Sequence, residues 1–523
     1  MALVLNNIAY LLIAAGLGFA LLFGIFKNDR RLIVCLGGAF ALPICIAFLA
    51  PTILVANLLI GLTMLLFWRE RSHFGAIYVF GLMTLPMVSQ PLALGSMYLV
   101  DFSFGHAYTL AAFLGLKLGG HVRRSMSGLA DILVLLIVTV LYLAAIREGS
   151  STNALREFLN YVLSYILPYY IVSRSIQGPE QARSIMLALA GSAVVLSTIA
   201  IYETWRTWPI YRGVYTHYGI ELTKAANIKL RGGSMRSAGP YTEPLSLAFA
   251  MTIGFVALLS IRQQVQQRWH YALLVAVVVG GLIAPQGRGA WIGALCALFA
   301  LDLYRRNYRR FTIKAVLIGI AGVGALAVAA VNNRVAVMLG LTAEGQGTVD
   351  YRAQLLVRGV EEFWKHPLFG DSFGNVLYNL RDMTQGEGIV DLVNGYLHIA
   401  LISGAAGLML IIMALIGMAM QFMRVRSQEM APTILRITTS FAFASLIAIA
   451  VMLTSMSIVG RPLLILLIVL ACGASASRAV LFSKHKSGGQ SSDVTMLDVE
   501  DLESHAVISR THQAVQMQSN VQQ

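Results

Sequence analysis

The chain has 523 residues, is 57% hydrophobic and only 12% charged, and carries a formal charge of +14. So much apolar surface with so little charge excludes an ordinary soluble globular protein. The positive charge does not mark a nucleic-acid binder: the basic residues stand in short clusters between apolar runs, which is how topology signals are placed.

Apolar runs long enough to cross a bilayer as helices recur at 8–26, 32–49, 52–68, 74–89, 92–116, 128–146, 157–173, 185–202, 245–261, 271–285, 288–304, 313–331, 396–422, 433–456 and 461–481. They predict an all-α polytopic membrane protein of about 12–15 transmembrane helices with one large, partly helical loop. The first run, Ile8 to Phe26, has no basic segment before it and no small-residue cleavage site after it, so it reads as a retained span. Between 74 and 116 the division is open. Asp101 and His106 either lie within a span or stand in an outer loop before a shorter one. Cys35, Cys45, Cys296 and Cys472 lie in apolar segments without metal spacing and read as small core residues.

The clusters Lys27/Arg30/Arg31, Arg69/Arg71, Lys117/Arg123/Arg124, Arg262/Arg268, Arg305/Arg306/Arg309/Arg310 and Arg424/Arg426 each follow an odd-numbered crossing. The positive-inside rule therefore puts them in the cytoplasm, with the N-terminus outside and the C-terminus inside. The expected organisation is an N-terminal bundle (1–202), helices with an Arg/Gly/aromatic loop (203–331), a large outer loop (332–395), C-terminal helices (396–482) and a disordered cytoplasmic tail (483–523). On the outer face this gathers Glu203–Glu243, the tight turn Pro285–Arg288 and the loop 332–395.

Three groups there can carry chemistry. In the first loop, Arg231 and Arg236 bracket Gly232 and Gly233. Glycines let backbone amides approach an anion, and guanidinium forks match phosphate oxygens. The aromatic residues nearby, Tyr241 among them, form either an interfacial belt or stacking faces for sugars. At the second, Arg288 sits between Gly287 and Gly289 where one span ends and the next begins; it either snorkels to headgroups or holds an anion at a helix N-terminus. In the third, apolar pairs predict a surface helix over Asp350–Lys365, stopped by Pro367, carrying Arg352 and Arg358. Beyond it, Asp391 and Asn394 either cap the following helix or, for the carboxylate, take a proton. His398, inside the span, reads as a packed residue.

Taken in order, these groups resemble the O-antigen ligase and polysaccharide polymerase superfamily of bacterial inner membranes. The carriers are MRSAGPYTEPLSLA, APQGRGAWIGAL, and YRAQLLVRGVEEFWKHPLFGDSFGNV followed by DLVNGYLHIALISGAAGL, together about residues 230–420. The resemblance implies transfer of a glycan from an undecaprenyl-diphosphate donor on the periplasmic face, without metal or nucleotide cofactor. It implies catalytic roles for Arg288, Asp391 and Asn394, and substrate contacts from Arg231, Arg236, Arg352 and Tyr241. Ligases of the family carry a histidine immediately before the asparagine, where this chain has Val393. Valine cannot take a proton, so the polymerase branch fits better: repeat units joined into exopolysaccharide or O-antigen, with lipid-linked donor and acceptor, and a chain-length regulator and export proteins as partners. Ligation to lipid A core or to protein is the alternative within that class, and a lipid-linked glycan flippase is the alternative outside it.

Overall fold

The structure, a computed structural model, describes residues 2–95, 97–120, 128–147, 149–220, 228–384, 390–427 and 432–480; the predicted tail at 483–523 lies outside them. Two helices carry the interior. Pro179–Arg206 and Arg461–Val480 are each buried over 89% of their most apolar stretch, and both are apolar all round, as a helix enclosed on every side must be. Small residues let neighbours come close. A Cβ at Gly254 would overlap Ala193, and one at Gly281 would overlap Ser197, so Pro244–Ser260 and Arg268–Ile283 lie almost backbone to backbone on the 179–206 helix.

Among the described residues seven helices are long and apolar enough to cross a membrane, and there are shorter apolar helices such as Ile53–Leu65, Phe74–Thr84 and Leu129–Ala145. With 77% of the described residues helical, the architecture is that of an all-α membrane protein. The helix Tyr308–Val331 is only 6% buried despite its apolar sequence, which suits a face turned to lipid.

The stretch 74–116 departs from the two spans expected there. Instead a helix Phe74–Thr84 leads into an antiparallel hairpin, Ser89–Leu94 with Met97–Ser103, and then a helix Phe104–Leu118. Pro86 and Pro91 lack the amide protons a continuing helix needs, and Gly95 supplies the left-handed turn residue. Asp101 pairs with Pro91 in the hairpin, and His106 stands in the first turn of the helix, capped by Ser103. Asp101 therefore stands in the hairpin before the helix, and His106 within it.

The loop 332–395 folds into helices Asn333–Leu339, Ala343–Phe363 and Phe373–Asn379 around its own small core of Leu355, Val376, Leu380, Leu392, Val393 and Leu397. Its long helix begins at Ala343 rather than at the expected Asp350. Gly345 and Gly347 lower the propensity of that first turn, which is why the sequence pattern places the start later. The cover is then pinned to the bundle. The helix Gly395–Arg426 breaks at Gly404, where φ is +67°. The segment 367–371 inserts at the break: Ala405 and Ala406 amides donate to the Pro367 and Leu368 carbonyls, and the Asp371 amide donates to the Leu401 carbonyl. Backbone groups freed by a broken helix are satisfied by protein, as membrane depth requires.

Candidate functional site

The site is assembled at the turn Ala284–Gly287, which joins the helix Arg268–Ile283 to the helix Arg288–Tyr304. The 230–237 segment uses the carbonyls of Ala284, Pro285 and Gln286, while that of Gly287 accepts from the Ala290 and Trp291 amides of the second helix. Arg231 Nη1 donates to the Gln286 carbonyl at 2.8 Å, Arg236 Nε to the Pro285 carbonyl at 3.0 Å, and the Ser237 amide to the Ala284 carbonyl at 3.3 Å. That segment is a two-residue-per-strand hairpin, Leu230–Arg231 with Ser234–Met235, turning at Gly232 and Gly233 with φ of +56° and +72°.

Below the hairpin lies a residue that the sequence reading passed over. Glu203 is buried and accepts from the Ser237 hydroxyl, the Gly239 amide at 3.1 Å and the Ile210 amide at 3.0 Å. It ties both ends of the loop to the end of the 179–206 helix. A carboxylate in the last turn of a long apolar helix is the signal that could have found it.

Arg236, Arg288 and Asp391, far apart in the chain, line one cavity of about 820 Å³ together with Arg231, Arg352, Lys229 and Glu243. Five basic side chains thus face two carboxylates, an excess of three positive charges (5 − 2). Of these, Lys229 and Glu243 pair with each other at 3.1 Å. Hydroxyls of Ser455 and Ser457 and the apolar side chains of Leu245, Val393, Met456 and Val459 complete the wall. The size suits a small-molecule ligand.

The cations crowd one another. Burial pushes the Arg236 guanidinium down to about 10; Arg231 adds to this, Glu243 opposes it, and Arg352 and Arg288 add further. Arg352 is likewise lowered by burial and by Arg288, with Asp391 opposing. Two of them are also short of partners. Arg288 Nε and Nη2 and Arg352 Nε are buried with no hydrogen-bond partner. Leaving a buried donor unsatisfied costs about 1–3 kcal/mol, and more when the group is charged. A multiply charged anion in the cavity would relieve the repulsion among these cations.

Tyr241 and Asn394 do not join this cavity. Tyr241 is buried, its hydroxyl donates to the Met83 carbonyl at 2.9 Å, and the Arg461 guanidinium lies 5.6 Å from its ring centre, so no sugar face can reach it there. Asn394 is the N-cap of the helix Gly395–Arg426, accepting from the Tyr396 and Leu397 amides at 3.0 and 3.2 Å. Its side-chain oxygen is engaged in capping rather than chemistry. Arg358 sits on the outside of the cover, paired with Asp382 at 2.9 Å and with Glu361. His398 is buried beside Phe373, ring centres 5.5 Å apart, away from the cavity. Among the described residues no three His, Cys, Asp or Glu side chains gather as a metal ion needs.

Compared with known proteins, the chain matches no family model, and no curated protein is similar enough to it to carry an assignment.

Proposed function

We propose that the chain is a glycosyltransferase of a bacterial inner membrane that polymerises undecaprenyl-diphosphate-linked repeat units on the periplasmic face. One observation carries the reading: Arg288, whose Nε and Nη2 have no hydrogen-bond partner, lines a cavity shared with Arg231, Arg236 and Arg352. A diphosphate is the anion that such a cluster suits, since paired phosphate oxygens match guanidinium forks. Leu245, Met456 and Val459 give the cavity an apolar side beside which a polyprenyl chain can lie.

In this reading an acceptor sugar hydroxyl attacks the anomeric carbon of the donor. Its proton passes to the Asp391 carboxylate as the new C–O bond forms. The bond from the anomeric carbon to the diphosphate oxygen breaks, and its electron pair leaves with the diphosphate. Arg236, Arg288 and Arg352 stabilise the charge that develops there. Val393, where a ligase of the resembled superfamily has histidine, is packed in the core of the cover and offers no base, which favours polymerisation over ligation.

The test supplies the purified full-length chain with lipid-linked repeat units alone. Long lipid-linked chains are the expected product. No elongation until lipid A core is added would replace polymerase by ligase, and movement of unextended units across the bilayer would replace both by a flippase.

A further inference from the structure

A second chamber, of about 150 Å³, lies behind the segment 459–462. Val459 and Pro462 face the arginine cavity, whereas Gly460 and Arg461 face this chamber. Facing residues on the shared wall are therefore chain neighbours, about 3.8 Å apart from Cα to Cα, and the wall is one chain thick.

The chamber is built differently from its neighbour. Leu163, Ser164 and Tyr165 all line it, although three consecutive residues of a regular α-helix fan over about 200°. The segment 162–166 is a π-helical turn, a feature that often marks functional sites. On the opposite wall, His106 Nδ1 accepts from the Ser103 amide at 3.4 Å, so a neutral ring carries its proton on Nε2. That proton is donated to Ser164 Oγ at 2.7 Å, and Ser164 donates to Asn160 Oδ1 at 3.1 Å. The serine oxygen retains one acceptor position. Among the described residues no carboxylate lines the chamber, and the one cation there, Arg461, donates to the Leu82 and Leu85 carbonyls at 2.6 and 3.3 Å. An anion would meet only this one cation, already held by two carbonyls and set over the Tyr241 ring. A neutral hydroxylated ring finds the open acceptor position of Ser164, with Tyr165 beside it.

We infer that this chamber is a separate binding site for one neutral sugar ring of the acceptor glycan. The assignment to an acceptor rests on the transfer reading above, but the chamber and its preference for a neutral polyol do not.

Two single-cysteine reporters in the full-length chain test it, Leu163→Cys in the chamber and Val459→Cys on the arginine side. Modification by a water-soluble methanethiosulfonate is read at each position by peptide mass spectrometry, so the native cysteines stay in place. The probes are the repeat-unit oligosaccharide without lipid or phosphate, and inorganic pyrophosphate. The oligosaccharide should slow labelling at 163 at least fivefold, and pyrophosphate should not. Ser164→Ala in the same background should abolish that protection while thermal unfolding stays within a few degrees. Absence of protection at 163, absence of labelling there without ligand, or equal protection by pyrophosphate would each overturn the inference. Pyrophosphate failing to protect 459 would count against the diphosphate site alone, so the two ideas fail separately.

Discussion

Arg288 lies against the backbone of Gly340, and a methyl group at Gly340 would overlap its guanidinium. Gly340 closes the helix Asn333–Leu339 with φ of +86°, a left-handed conformation. The cover therefore meets the turn 284–288 at a residue that must lack a side chain for two reasons at once. Gly340→Ala should lower stability by about 1–2 kcal/mol and reduce transfer by displacing Arg288. Thermal unfolding together with a transfer assay checks both; an unchanged transfer rate would mean that Arg288 need not stay where it is.

Arg352 separates binding from stability. Burial and Arg288 both disfavour its charge in the empty protein. Arg352→Gln should raise the stability of the ligand-free chain by up to about 1 kcal/mol while weakening pyrophosphate binding about tenfold. Calorimetry in detergent measures the two together. A variant that loses stability would show that the guanidinium is a structural tie.

Asp391→Asn keeps shape and removes the proton acceptor. Transfer should fall by about a hundredfold or more with donor binding kept within about threefold. Equal loss of binding and turnover would move Asp391 from the chemistry to the folding of the cover, where its carbonyl already receives the Tyr351 hydroxyl at 3.3 Å.

Asn394 and Tyr241 should behave as scaffolding. Asn394→Ala removes the cap of the helix Gly395–Arg426 and should cost about 1 kcal/mol, largely recovered by Asn394→Ser. Tyr241→Phe loses the bond to the Met83 carbonyl and should cost a similar amount. Transfer per folded molecule should change less than about twofold in either, measured at a temperature where both are intact.

These four cases mark what was legible in the chain. Arg231, Arg236, Arg288 and Asp391 were visible because charged residues beside glycines, at the ends of apolar runs, have few structural reasons to be there. Their convergence was expected from a shared outer face, yet no linear pattern reveals that Arg231 and Arg236 bond to the carbonyls of the 285–286 turn. Tyr241 was misplaced because an aromatic in a polar loop looks the same whether it faces water or fills the gap above Met83. The hairpin at 89–103 was hidden for a related reason: its apolar residues continue the pattern of a span, and only Pro86 and Pro91 argue otherwise. The break at Gly404 depends on carbonyls supplied from 367–368, a contact between segments that local sequence does not encode.

The central claim is that the partnerless nitrogens of Arg288 hold a diphosphate. Binding of a short-chain polyprenyl diphosphate to the purified full-length chain, measured by titration calorimetry, tests it most directly, with Arg358→Gln as the exposed control. The account predicts that Arg288→Gln raises Kd at least tenfold, about 1.4 kcal/mol, and that Arg358→Gln leaves it unchanged. Equal affinity in wild type and Arg288→Gln, with both folded, would contradict it.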